Sequence, residues 1–319
     1  MAKKYLSILL SFFSICIAVF ACELILRVKH SIIPNYDIEM WKYAKDLKIK
    51  VEEKNISHVH IPNKQGTFQK TIIKTNQYGQ RDINYNNEYL EKFEKRFLII
   101  GSSIPLGWGV DKEKTFSHLL NDQSVKSDKN WIFINGGIGN YNSLRYVNNY
   151  LKNWKDLKFN HIIISYFVND AEILNDKKAN FFVEHTHIGV ILWKLYNSFD
   201  SSLKKENLKN YYERIYDEDY DGFKIAKREL IQLQNHCNLK KIRCILVNMP
   251  DVHQLNPYKL KFINKKMKNF TKEKGIEYLD LLPIFENIDE KKIWNKYQDP
   301  HPNAYAHKII SKKIFEYLN

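Results

Sequence analysis

A serine hydroxyl is a poor nucleophile until a base takes its proton, and a carboxylate must hold that base in the right tautomer. Three short words in this chain contain the residue types for that chemistry. GSSIPLGWGV at 101–110 places Ser102 and Ser103 directly after an apolar run, and QDPHPN at 298–303 places Asp299 two residues before His301. VND at 168–170 ends another apolar run on a polar pair that begins with Asn169. Acyl transfer also develops negative charge on an oxygen, which needs donors already aimed at it.

Such residues act together only if the fold delivers them to one place. From Arg96 onward, apolar runs of strand length recur at Phe97–Ile100, Ile132–Ile134, Ile162–Phe167, Ile245–Met249 and Tyr278–Leu281. Between them lie helical stretches at Thr115–Asp122, Ser143–Trp154, Tyr220–Cys237 and Tyr258–Lys274. A last one, Ala304–Leu318, places Ala306, Ile310, Ile314, Tyr317 and Leu318 on one face. This alternation predicts an α/β fold with a parallel sheet covered by helices on both faces. Chemistry in such sheets gathers at the carboxyl ends of the strands, and both Ser103 and Asn169 follow such ends.

The N-terminus has a different character. Lys3 and Lys4 precede an uncharged run from Tyr5 to Cys22, followed by Glu23, Leu24–Leu26 and Arg27. That length just crosses the hydrocarbon core of a bilayer if Glu23 snorkels. We read 1–30 as a signal anchor or transmembrane helix with the following domain outside the cytoplasm. A cleaved signal is the alternative, though Phe20-Ala21-Cys22 fits a cleavage site only loosely. Residues 31–95 read as a juxtamembrane stalk and lead-in segment, with a turn at Tyr78-Gly79. Residues 171–219 break the alternation, as either a lid insertion at the mouth of the cleft or an ordinary helical excursion.

Composition narrows the partners. The 319 residues are 44% hydrophobic and 14% aromatic with few Gly and Pro, which excludes a long disordered tract. The net charge of +14 is spread along the chain rather than clustered in a nucleic-acid module, so no nucleic acid is expected. Cys16 and Cys22 fall in the apolar run. Cys237 and Cys244 flank a helix-to-strand turn and read as two separate buried thiols, with a disulfide open to them in an oxidising compartment. No metal site is expected: His185 and His187 read as solvent-facing, and His307 as structural.

Taken in order, the words resemble the blocks of the SGNH hydrolases, also called GDSL esterases/lipases. FLIIGSSIPLGWGVDKEKTF resembles the first block, INGGIGNYNS at 134–143 the second, YFVNDAE at 166–172 the third and DPHPNAYAH at 299–307 the last. ELILR at 23–27 and TNQYGQRD at 75–82 resemble the lead-in of a membrane-anchored cell-envelope branch. The resemblance implies a three-layer, flavodoxin-like sheet of about five strands over 96–319, after one transmembrane helix. It implies Ser103 as nucleophile, His301 as base and Asp299 as orienting acid. The oxyanion donors would be the Ser103 N–H, a backbone N–H from the loop containing Gly137, Gly139 and Asn140, and the Asn169 amide. Two positions depart from the family pattern. Ser102 stands where the first block usually has Asp, which makes it a rival nucleophile, and Asn140 stands at the second block's glycine, where a positive φ is wanted.

The implied activity is removal of an O-acyl group, most plausibly O-acetyl, from an envelope carbohydrate through an acyl-serine, with no cofactor. The partners expected are an acylated carbohydrate or another small ester, and the membrane through the first helix. An O-acyltransferase using the same triad, and a catalytically silent glycan-binding or assembly protein, are the alternatives.

Overall fold

The computed structural model describes residues 2–174, 181–202, 207–296 and 299–319. The chain divides into two compact units, one of residues 1–46 with 177–205 and a larger one of 47–176 with 206–319. The stretch 171–219 therefore splits between them, with 175–180 and 203–206 outside the described residues.

In the smaller unit a 31-residue helix, Ala2–Ile32, carries an apolar segment from Lys4 to Ile32 that is long enough to cross a membrane. Glu23 lies within this helix. Its carboxylate accepts the N–H groups of His187 (3.0 Å) and Ile188 (2.9 Å) and so caps the helix His187–Ser202, whose first N–H groups have no partner within the helix. Arg27 pairs with the same carboxylate at 2.8 Å. His30 meets Glu39 at 2.8 Å, and Trp41 meets Trp193 edge to face at 5.4 Å.

The larger unit opens with two small antiparallel ribbons, β1 (Lys48–Lys50) with β2 (His58–His60), and β3 (Gln65–Phe68) with β4 (Thr71–Lys74). Five parallel strands follow: β5 (Lys95–Gly101), β6 (Trp131–Gly137), β7 (His161–Tyr166), β8 (Arg243–Asn248) and β9 (Glu277–Asp280). Their spatial order is β6-β5-β7-β8-β9, the doubly wound arrangement with its switch point beside β5. The last ribbon joins β10 (Trp294–Lys296) to β11 (Asp299–Pro302).

Alternate strand residues point to opposite faces, so a sheet buried on both sides must be apolar throughout. Leu98, Ile100, Ile134, Ile162, Ile164 and Leu246 lie in one core, with residues of the helices Ser143–Asn149, Asp221–Lys240 and Lys261–Lys274. Phe97, Ile99, Phe133, Ile163, Ile245 and Val247 lie in the other, with the helices Phe116–Lys126 and Ala304–Leu318. The face predicted for the last helix is the one it buries, through Ala306, Ile310, Ile314 and Leu318.

One reading is corrected. Cys237 and Cys244 form a disulfide instead of two separate thiols. Lys241 ends the helix in a left-handed turn, and that reversal brings the helix's last turn and the start of β8 to a Cα separation of 6.3 Å, within bridging range.

Candidate functional site

Strand β5 is paired on both sides, with Gly101 in register with Gly137 of β6 and Ser165 of β7. The segments leaving these three strands therefore emerge side by side at one sheet edge. They carry Ser103, the loop 137–140 and Asn169 respectively.

After Gly101 the chain turns into a single helical turn, Ser103–Leu106, ended by Gly107 in the left-handed region. Close approach to β6 makes this turn fit. A Cβ on Gly137 would stand 2.2 Å from the Leu106 nitrogen, so only glycine lets the turn lie against the strand end. Asn135 stitches the two together, its amide donating to the Pro105 carbonyl (2.6 Å) and its oxygen accepting the Gly137 N–H (3.0 Å).

Across this edge the Ser103 hydroxyl lies 2.8 Å from His301 Nε2, and His301 Nδ1 lies 2.5 Å from Asp299 Oδ1. Since the carboxylate only accepts, Nδ1 carries the proton and Nε2 is left as the acceptor for the serine hydroxyl. Asp299 is buried, while His301 keeps 19% of its side chain exposed. The other carboxylate oxygen accepts Trp108 Nε1 at 3.0 Å and Asn295 Nδ2 at 3.3 Å. Burial alone would raise the Asp299 carboxyl, but the hydrogen bond and charge of His301, helped by Asn295, hold it below the usual carboxylate range.

Trp108 and Asn295 had no signal in the sequence as partners of Asp299, because both contacts depend on tertiary placement. Trp108 is positioned from the lead-in segment. The buried guanidinium of Arg81 donates to the carbonyls of Leu106, Gly107, Val110 and Ile72 at 2.8–2.9 Å, pinning the loop on either side of the indole. Gly109 has φ +74, and a Cβ there would overlap the Asn295 amide at 1.9 Å. Its bareness lets Asn295 reach the carboxylate.

The second-block residues divide their labour. The Gly137 N–H is taken by Asn135, which removes it from the expected oxyanion donors. Gly139 offers its carbonyl, which accepts Lys48 and His58. Asn140 adopts φ +64, in the left-handed region. Ser102 does not contact His301 through any hydrogen bond among the described residues. Its hydroxyl instead accepts the Tyr141 N–H at 3.2 Å, tying the turn after β5 to the loop after β6.

Asn169 sits in the short turn Val168–Ala171, and its buried Oδ1 has no partner among the described residues. The next residue, Asp170, is buried and accepts the Tyr146 hydroxyl at 2.8 Å; burial raises its carboxyl well above the usual range. His307 is also buried, and its Nδ1 accepts the Phe116 N–H at 3.0 Å. His185 donates to the Phe181 carbonyl within its own helix. Among the described residues no three His, Cys, Asp or Glu side chains converge as a metal site would.

A hydroxyl, an imidazole and a buried carboxylate thus stand in hydrogen-bonded series above a doubly wound sheet. Comparison of the sequence with protein-family models finds no match, and comparison with curated proteins finds none. Solved structures do resemble the fold. The esterase EstA from Pseudoalteromonas sp. is 14% identical with a TM-score of 0.46, over 70% of this chain and 97% of that one. A G-D-S-L family protein from Desulfitobacterium hafniense is 14% identical with a TM-score of 0.45, over 70% and 99%. Axe2, an acetyl-xylooligosaccharide esterase from Geobacillus stearmophilus, is 13% identical with a TM-score of 0.44, over 70% and 94%.

Proposed function

We propose that the chain is a serine ester hydrolase that removes O-acyl groups, O-acetyl above all, from a cell-envelope carbohydrate. The observation that carries the reading is the unbroken series Ser103–His301–Asp299 at 2.8 and 2.5 Å. His301 takes the serine proton as Ser103 attacks the ester carbonyl, and Asp299 stabilises the imidazolium that forms. The tetrahedral oxyanion is held by the Ser103 N–H, the Asn140 N–H and the Asn169 side chain. His301 then returns the proton to the departing sugar hydroxyl, leaving an acyl-serine. Water, activated by the same imidazole, hydrolyses that ester and frees the acid.

The carbohydrate substrate and the envelope location rest on the resemblance of ELILR and TNQYGQRD to the anchored branch, together with the apolar first helix and the Cys237–Cys244 disulfide. Disulfides persist outside the reducing cytoplasm, so the first helix serves as a single membrane anchor with the larger unit on the extracytoplasmic side.

The test is serine labelling by a fluorophosphonate, paired with release of acetate from an acetylated glycan. Wild type is expected to label and release acetate, and Ser103→Ala to do neither. Labelling that persists in Ser103→Ala and vanishes in Ser102→Ala would move the nucleophile by one residue. Acetate appearing on an added sugar acceptor instead of free in solution would make the enzyme a transferase.

A further inference from the structure

Within the larger unit, the Lys48 ammonium donates to the Gly139 carbonyl at 2.7 Å, and His58 Nε2 lies 3.1 Å from the same oxygen. That carbonyl belongs to the Gly139–Asn140 peptide, whose N–H is the Asn140 donor assigned above to the oxyanion. A trans peptide is planar, with its C=O and N–H pointing to opposite sides. Fixing the oxygen therefore fixes the direction of the N–H. We propose that Lys48, seconded by His58, is a positioning residue that aims and polarises the Asn140 N–H by gripping the far end of its peptide unit. The inference rests on the hydrolase reading and adds residues from outside the four sequence blocks.

Four observations carry it. First, the two donors are delivered by one ribbon. Lys48 opens β1 and His58 opens β2, and the register that pairs Lys48 with His60 and Lys50 with His58 puts both on the same face. Second, the peptide needs an external hold, because Asn140 has φ +64, where non-glycine residues rarely rest unaided. Third, the imidazole is set up to donate. A carbonyl only accepts, so His58 Nε2 carries the proton, and Nδ1 is free to accept the Ser57 hydroxyl at 3.2 Å. Burial and the charge of Lys48 keep this imidazole neutral, lowering it to about 2. Fourth, the loop is tied on its other side as well. The Asn140 carbonyl accepts Arg145 at 2.9 Å, the Tyr141 N–H reaches Ser102, and the Tyr141 hydroxyl donates to the His58 carbonyl. Two donors on the oxygen draw electron density along the peptide and make its N–H a stronger donor.

Burial of the ammonium and the nearby charge of Arg145 lower Lys48 to about 7. Protonated and neutral amine can both donate, the protonated form more strongly.

The experiment compares the full-length chain with its Lys48→Met and Lys48→Arg variants, using p-nitrophenyl acetate and the rate of fluorophosphonate labelling. Complete loss of one oxyanion donor typically lowers kcat by about 10²–10³-fold, and a misaimed donor loses part of that. Lys48→Met should lower kcat by about 10- to 100-fold and slow labelling in parallel, with KM little changed. Lys48→Arg, which restores a cationic donor, should recover most of the rate. A Lys48→Met enzyme with wild-type kcat, or with only KM raised, would overturn the inference and leave the hydrolase reading standing. Wild type that neither turns over nor labels would instead remove the reading beneath it. Should Lys48→Met fail to fold, His58→Phe provides the second variant, with a smaller fall in kcat expected and an unchanged kcat again counting against the inference.

Discussion

At Ser102 a single hydroxyl oxygen joins two loops at the edge of the sheet. The Tyr141 N–H is buried beside the turn Ser103–Leu106 and needs an acceptor, since leaving such a donor unpaired costs about 1–3 kcal/mol. The serine oxygen at 3.2 Å supplies that acceptor without adding a charge. Ser102→Ala should therefore lower the melting temperature and slow labelling without abolishing it, while Ser102→Asp should keep the acceptor and the labelling. Thermal unfolding and labelling rate, measured on the same preparations, check both outcomes. Complete loss of labelling in Ser102→Ala, with the fold intact, would mean that this oxygen itself reacts.

At the scale of elements, the disulfide and the site lie at opposite ends of the sheet. Cys244 stands at the start of β8, whereas Ser103 and Asn169 follow the finishing ends of β5 and β7. Opening the bridge should cost stability without touching the chemistry. The loop it closes is short, and chain entropy sets its worth at roughly 2–3 kcal/mol. Cys237→Ser is expected to lower the melting temperature while leaving kcat within about twofold; a larger fall in kcat would mean that strain at this end reaches the site. The five strands of the sheet were legible in the sequence because each is an apolar run bounded by polar turns, and the last helix because its apolar stripe repeats at helical spacing. Ser103, His301 and Asp299 were legible as motif words. The bridge was not, since two cysteines seven apart join only if the intervening turn reverses tightly. Nor were Trp108, Asn295, Arg81 and Lys48, whose roles come from partners distant in sequence: 191 residues separate Trp108 from Asp299, and 91 separate Lys48 from Gly139.

For the molecule as a whole, the buried imidazoles set a limit on the acid side. Burial lowers five among the described residues of the larger unit; the three most deeply buried are His58, brought to about 2 with help from the Lys48 charge, His60, to about 3, and His307, to about 3 with help from the Arg81 charge, while the partly buried His161 is brought to about 4. In the unfolded chain each would titrate near 6.5. Between that value and the folded one, the unfolded state binds the proton and the folded state does not, so stability is whole above about 6.5 and falls as pH drops below it. From pH 7.5 to 5.5 each such histidine removes about 1.4 kcal/mol, and the three together about 4 kcal/mol, a large share of an ordinary domain's 5–15 kcal/mol. The chain also carries +14 before any histidine ionises, so added protons meet repulsion and not relief. Urea unfolding of the detergent-solubilised chain should therefore show a clear fall in midpoint between pH 7.5 and 5.5. His307→Gln keeps an acceptor for the Phe116 N–H but cannot be protonated, and it should reduce that fall by about a quarter if His58, His60, His161 and His307 contribute equally. A midpoint indifferent to pH over this range would mean that these rings take up protons inside the folded protein, and the buried clusters around β1, β2 and the last helix would then have to open to water in the native state.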